Sequence, residues 1–138
     1  MYNLPFVMRY VYIVLTVGLF CLTACHNYTP EEEAQMSLKE ALEALEKDDH
    51  EAYLKHVDWG GEMDAVQTAY MKDVLRQHLG WRRSERAAVV SIDMIDAKME
   101  GDTICTVYYQ YAFADGTKEV VAQKMVRSGE DWKIRLRN

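Results

Sequence analysis

No two cysteines stand at Cys-x-x-Cys spacing and no two histidines at His-x3-His spacing, so neither a dithiol redox motif nor the usual zinc spacing is present. Neither a metal nor a cofactor is therefore expected. There is no internal repeat and no low-complexity tract, which excludes a solenoid and a long linker. Basic charge is in deficit: 16 Lys and Arg face 22 Asp and Glu, a net charge of -6. That excludes a nucleic-acid partner, whose phosphates need clustered Lys and Arg. A comfortable membrane span is missing too. The longest apolar run, Tyr10 to Leu22, has 13 residues and as a helix covers roughly 20 Å of a hydrocarbon core roughly 30 Å thick. What remains is globular sequence: 138 residues, 49% hydrophobic and 28% charged, hold one core and not two.

The short apolar run follows Arg9 and ends in small residues, which is the pattern of a signal-peptide hydrophobic region. Cutting after Ala24 places Leu22 where an ordinary signal peptidase needs a small side chain. The quartet Leu22-Thr23-Ala24-Cys25 instead resembles the lipobox of bacterial lipoproteins, in which the cysteine thiol receives a diacylglycerol and cleavage occurs just before it. The resemblance implies residues 1–24 as signal peptide, Cys25 as the lipidated first residue, 25–29 as a tether and 30–138 as a single domain. Acyl burial contributes about 0.8 kcal/mol per CH₂, so two or three chains anchor stably. His26 to Thr29 reach at most roughly 14 Å, which holds the domain near the membrane. His26 is not the aspartate that resembles an inner-membrane retention signal, so the outer membrane of the cell envelope is the expected location. Cys105 then has no intramolecular partner, and a buried small hydrophobe is its expected role.

The domain opens with a marked helix. Thr29 is a cap, Pro30 suits the first helical position, and Glu32 completes a capping box. Ala34, Leu38, Ala41, Leu42 and Leu45 recur at the helical period, and Glu31, Glu32 and Glu33 face the positive end of the dipole. Asp49 to about Val57 reads as a short second helix carrying Ala52, Tyr53 and Val57 inward. Glu62 to Leu79 reads as a third, with Met63, Val66, Tyr70, Val74, Leu75 and Leu79 on its inner face and Gly80 as its stop. From Ala87 the pattern becomes β-branched and aromatic, with turns at "EGD", "ADGT" and "SGED", and predicts four antiparallel strands.

Helices followed by a four-stranded meander make an α+β domain with the helices packed on one sheet face. This order, with "KDDHEAYLKHV", "YAFADGTKEV" and "GEDWKIRL", resembles the small lipoproteins of the nuclear-transport-factor-two-like superfamily. The resemblance implies a curved sheet and helices forming a cone whose open end holds a small apolar ligand in some members and performs isomerase or dehydratase chemistry in others. A cystatin-like sheet wrapped on one long helix is the runner-up.

Candidate chemistry is sparse. Asp58, Asp93 and Asp96 are the carboxylates to consider as a general base, but Asp58 suits a turn and Asp93 alternates with Ser91 and Ile95, opposite the more apolar Val90, Ile92 and Met94. The four histidines read as surface residues. Tyr109, Tyr111 and Phe113 share a strand face, and with Trp59, Tyr70, Trp81 and Trp132 they suit the wall of a site for an apolar or planar ligand. The expected role is a noncatalytic small-ligand-binding or accessory module. A protein-interaction or homodimerisation module using the exposed sheet is the alternative, and a cone-type isomerase or dehydratase is a third.

Overall fold

The computed structural model describes residues 27–136. Leu22, Thr23, Ala24 and Cys25, the tether's first residues and the signal peptide lie outside the described residues. Among the described residues no helix is long and apolar enough to cross a membrane.

Helix α1 runs Pro30–Glu46 and begins where its sequence says it should: the Thr29 side chain accepts from the Glu32 N–H, and the Glu32 carboxylate accepts from the Thr29 N–H. Its apolar stripe, Ala34, Leu38, Ala41, Leu42 and Leu45, is buried throughout. Helix α2, His50–Lys55, is capped by Asp49. It is shorter than the pattern suggested because Val57 leaves the helix and forms strand β1, Val57–Asp58.

Helix α3 spans Ala65–Glu85, behind a capping box made by Asp64 and Gln67. Gly80 does not stop it. A helical glycine costs only about 1 kcal/mol, and the turn beyond it is held by contacts that start at Arg82. Arg82 pairs with Glu46, and Arg83 donates to Asp48 Oδ1 at 2.7 Å and to the Glu46 carbonyl at 3.0 Å.

Four longer strands follow: β2 Val89–Glu100, β3 Ile104–Phe113, β4 Lys118–Ser128 and β5 Asp131–Arg135. The sheet order is β1-β5-β4-β3-β2, antiparallel except where β1 runs parallel to β5. The sheet therefore has five strands and is mixed, against four antiparallel strands expected. The fifth was hidden because a two-residue strand carries no alternation to detect. Its pairing, Val57 with Ile134, is fixed by the distant β5, and the Ile134 N–H donates to the His56 carbonyl at 2.6 Å.

The β3–β4 turn shows how the hairpins close. Gly116 takes φ +85°, a conformation that side-chain-bearing residues avoid, and Asp115 Oδ1 accepts from the Thr117 N–H and hydroxyl at 2.9 and 2.6 Å. Cys105, Val107 and Tyr109 of β3, with Met125, Trp132 and Ile134, face α1 and form the core. In β2 the register slips twice, between Val89 and Ser91 and between Met94 and Asp96. Each bulge ejects one apolar residue, Val90 and then Ile95, which are 64% and 53% exposed. Ile92 and Met94 pack on the core as their alternation implied; Val90 does not.

Candidate functional site

A cavity of about 390 Å³ opens between α1, α3 and the inner sheet face. Leu38, Leu42 and Leu45 of α1, Leu75 of α3 and Ile134 of β5 give it an apolar wall. These leucines reach it because the α1 stripe that buries the core continues to the end of the helix. Alternation along β3 brings Tyr109, Tyr111 and Phe113 to the opposite wall, and β4 adds Glu119 and Gln123 from the same side. Tyr53 enters from α2, and His78, Trp81, Arg82 and Arg86 come from the last turns of α3 and its cap.

The polar side is organised by two ion pairs. Arg82 pairs with Glu46, both mostly buried, and its guanidinium lies 5.7 Å from the centre of the Tyr111 ring. Arg86 pairs with Glu119 and lies 5.4 Å from the Phe113 ring centre. Each arginine is thus fixed by a carboxylate on one side and an aromatic face on the other. The Tyr109 and Tyr111 rings meet edge to face, with centroids 5.4 Å apart.

Burial pushes the hydroxyls of Tyr53, Tyr109 and Tyr111 above their ordinary value. Tyr111 adds to the shift at both neighbours, while Arg82 and the hydroxyl of Tyr109 partly offset it at Tyr111. All three are neutral at physiological pH and place hydroxyl groups at the cavity. The site combines an aliphatic floor, ring edges, neutral hydroxyls and two guanidinium groups already balanced by carboxylates. It suits a small molecule with an apolar or planar body and a hydrogen-bonding head.

Of the aromatic residues singled out in the sequence, Tyr109, Tyr111, Phe113 and Trp81 line this cavity, and Trp59, Tyr70 and Trp132 do not. Trp59 donates its indole N–H to the Leu54 carbonyl at 3.0 Å and joins Tyr70, Met63 and Met71 around a separate surface hollow of about 350 Å³. Trp132, 3% exposed, belongs to the core. Spacing along one strand fixed Tyr109, Tyr111 and Phe113; the places of Trp81, Trp59, Tyr70 and Trp132 depended on how α3, β1 and β5 pack.

The aspartates stay outside the cavity. Asp58 Oδ1 accepts from the Gly60 N–H at 3.1 Å and shapes the turn after β1. Asp93 and Asp96 are exposed beside Gln110 and Tyr108 on the outer sheet face. The carboxylate that does enter is Glu119, which sequence reasoning missed. Its signal was present: Glu119, Val121 and Gln123 alternate on β4, but only the β3 register reveals that this is the face of Tyr111 and Tyr109.

A second groove, of about 400 Å³, contains Ser37, His56 and Glu40. Ser37 Oγ donates to the Trp132 carbonyl at 2.6 Å and lies 3.2 Å from His56 Nδ1, with Glu40 3.9 Å from the other ring nitrogen. The serine proton is committed to a backbone carbonyl, so the group ties α1 to β5 and is no activated nucleophile. His50, expected at the surface, is instead 9% exposed, because α2 turns that side of its first turn inward. Cys105 is fully buried, and burial pushes its thiol up. Among the described residues no three His, Cys, Asp or Glu side chains gather as a metal site requires.

No family model matches the sequence, and no curated protein does. Solved structures do. A Campylobacter jejuni protein described as an NTF2-like transpeptidase superposes with a TM-score of 0.59 at 10% identity, covering 75% of this chain and 97% of that one. The fold is NTF2-like. A SEC-C motif containing protein from Rhodopseudomonas palustris has a TM-score of 0.47 at 12% identity, covering 72% of each chain. At such identities the NTF2-like likeness is one of fold, and activity has to be argued from the site.

Proposed function

We propose that this chain is a bacterial envelope lipoprotein, anchored through acyl chains on Cys25, whose NTF2-like domain holds a small ligand without transforming it. The observation that supports binding is the cavity of about 390 Å³ with an aliphatic floor and a wall of neutral tyrosines beside two fixed arginines. Turnover has less support. Asp58, Asp93 and Asp96 lie outside the cavity, and the carboxylate inside it, Glu119, is held by Arg86. The lipobox supports the anchor, and His26 after the cysteine supports the outer membrane.

Native mass spectrometry of the detergent-extracted full chain tests both parts. Wild type should carry an acyl mass that a Cys25→Ala variant lacks. It should also carry a noncovalent adduct, or bind anilinonaphthalene sulfonate, an anionic planar probe. Leu42→Trp, which fills the cavity floor, should remove that binding. A wild type that differs from Cys25→Ala only by the sulfur atom of the substitution would sink the anchor, and a folded wild type that takes neither adduct nor probe would sink the binding role.

A further inference from the structure

Helix α3 is amphipathic, yet the described residues leave much of its apolar face uncovered. Val66, Tyr70, Val74 and Trp81 are 79%, 66%, 38% and 64% exposed. At 3.6 residues per turn they fall within an arc of roughly 80°. Leu79 and the half-buried Leu75 lie on the other side of the helix, where it meets the body. Tyr70 and Trp81 alone present roughly 100–150 Å² each. With the valines the patch enters the roughly 300–600 Å² range that marks functional surface on a monomer.

We propose that the occupant of this face is a second copy of the chain, with the two α3 helices antiparallel about a two-fold axis level with Lys72. The spacing carries the inference. Met63, Val66, Tyr70, Val74, His78 and Trp81 follow one another at intervals of 3, 4, 4, 4 and 3 residues, a series that reads the same in both directions. An isologous contact needs that property, since each residue must meet the one equally far beyond the axis. Tyr70 then meets Val74, Val66 meets His78, and Trp81 meets Met63, which lies just before the helix cap. The residue at the axis does not interfere: Lys72 is directed to the body, where its Nζ is 3.2 Å from Glu51.

Two such patches together bury on the order of 1,000 Å², the lower bound of a specific interface. The outer sheet face is a poorer candidate, because Asp93, Asp96, Lys98 and Lys118 interrupt its exposed Val90, Ile95 and Val120. His78 and Trp81 also line the cavity, so pairing covers one of its rims.

The test is sedimentation velocity of the detergent-extracted full chain, with circular dichroism as the check on folding. Wild type should sediment as a dimer. Tyr70→Lys and Val74→Glu should each keep the fold and weaken association by roughly tenfold or more. The double variant, which sets the new lysine against the new glutamate across the axis, should pair again. Val120→Lys on the sheet should change nothing. A monomeric wild type, single variants that stay fully dimeric, a double variant that stays monomeric, or dissociation caused by Val120→Lys would each overturn the inference.

Discussion

Helices α1 and α3 have the same sequence grammar, a capping box followed by an apolar stripe, and opposite fates. All five stripe residues of α1 are buried between the sheet and the helix, whereas α3 buries Leu79 alone. The difference shows that periodicity reports a face seeking cover and is silent on what covers it. For α1 the cover is the inner sheet face. For α3 the contacts with the body are largely polar and concentrated near its last turns, in Arg82 with Glu46 and Arg83 with Asp48. One helix is buried along its whole stripe; the other is attached through one fully buried leucine and ion pairs near its end.

The strongest way to break this comparison is truncation. Leu38→Ala on α1 should lower stability by about 2–5 kcal/mol in chemical denaturation, since Leu38 is 1% exposed and its removal leaves a cavity in the core. A loss below about 1 kcal/mol would mean that the α1 interface relaxes freely.

Next in size is the ionic attachment. Arg82→Met leaves Glu46 without its partner in a mostly buried setting and should cost roughly 1–3 kcal/mol. Hydrogen exchange should quicken in the second half of α3 and leave α1 protected. Equal quickening in both helices would erase the distinction between them.

Alkaline titration tests the wall they share. Tyr53, Tyr109 and Tyr111 hold their protons more tightly folded than unfolded, mainly through burial. Their stabilising contribution is therefore complete below the ordinary value near 10 and falls as pH rises past it. Absorbance at alkaline pH should show the exposed tyrosines ionising first and these three only as the protein unfolds. Tyr109→Phe with Tyr111→Phe should flatten the decline.

Smaller still, Thr29→Ala should cost about 1 kcal/mol by removing the α1 cap. Smallest of all, Val66→Ser should move the stability of the unpaired chain by no more than about 0.5 kcal/mol, because Val66 is largely exposed among the described residues. A loss of Leu38→Ala size at Val66 would show that α3 is buried after all.

The legible part of the fold was the part encoded within one element. The Thr29 and Glu32 box, the α1 stripe, the three hairpin turns and the shared face of Tyr109, Tyr111 and Phe113 all depend on residues close in sequence, and all stand where they were expected. Strand β1 was missed because Val57 and Asp58 become a strand only when Ile134 and Arg135 arrive beside them. Glu119 and Arg86 were missed as a cavity pair because they belong to different elements, 33 residues apart.

By itself, then, the sequence determined an α+β chain with the start of its first helix, its turns and most of its strand faces, because caps, periodicities and glycine turns act over a few bonds. Tertiary structure decided which apolar faces found cover, which bulges turned Val90 and Ile95 outward, and how tyrosines, arginines and carboxylates converged on one cavity. Those outcomes depend on strand register and on competition among distant surfaces for the same burial. No local pattern encodes which of them wins.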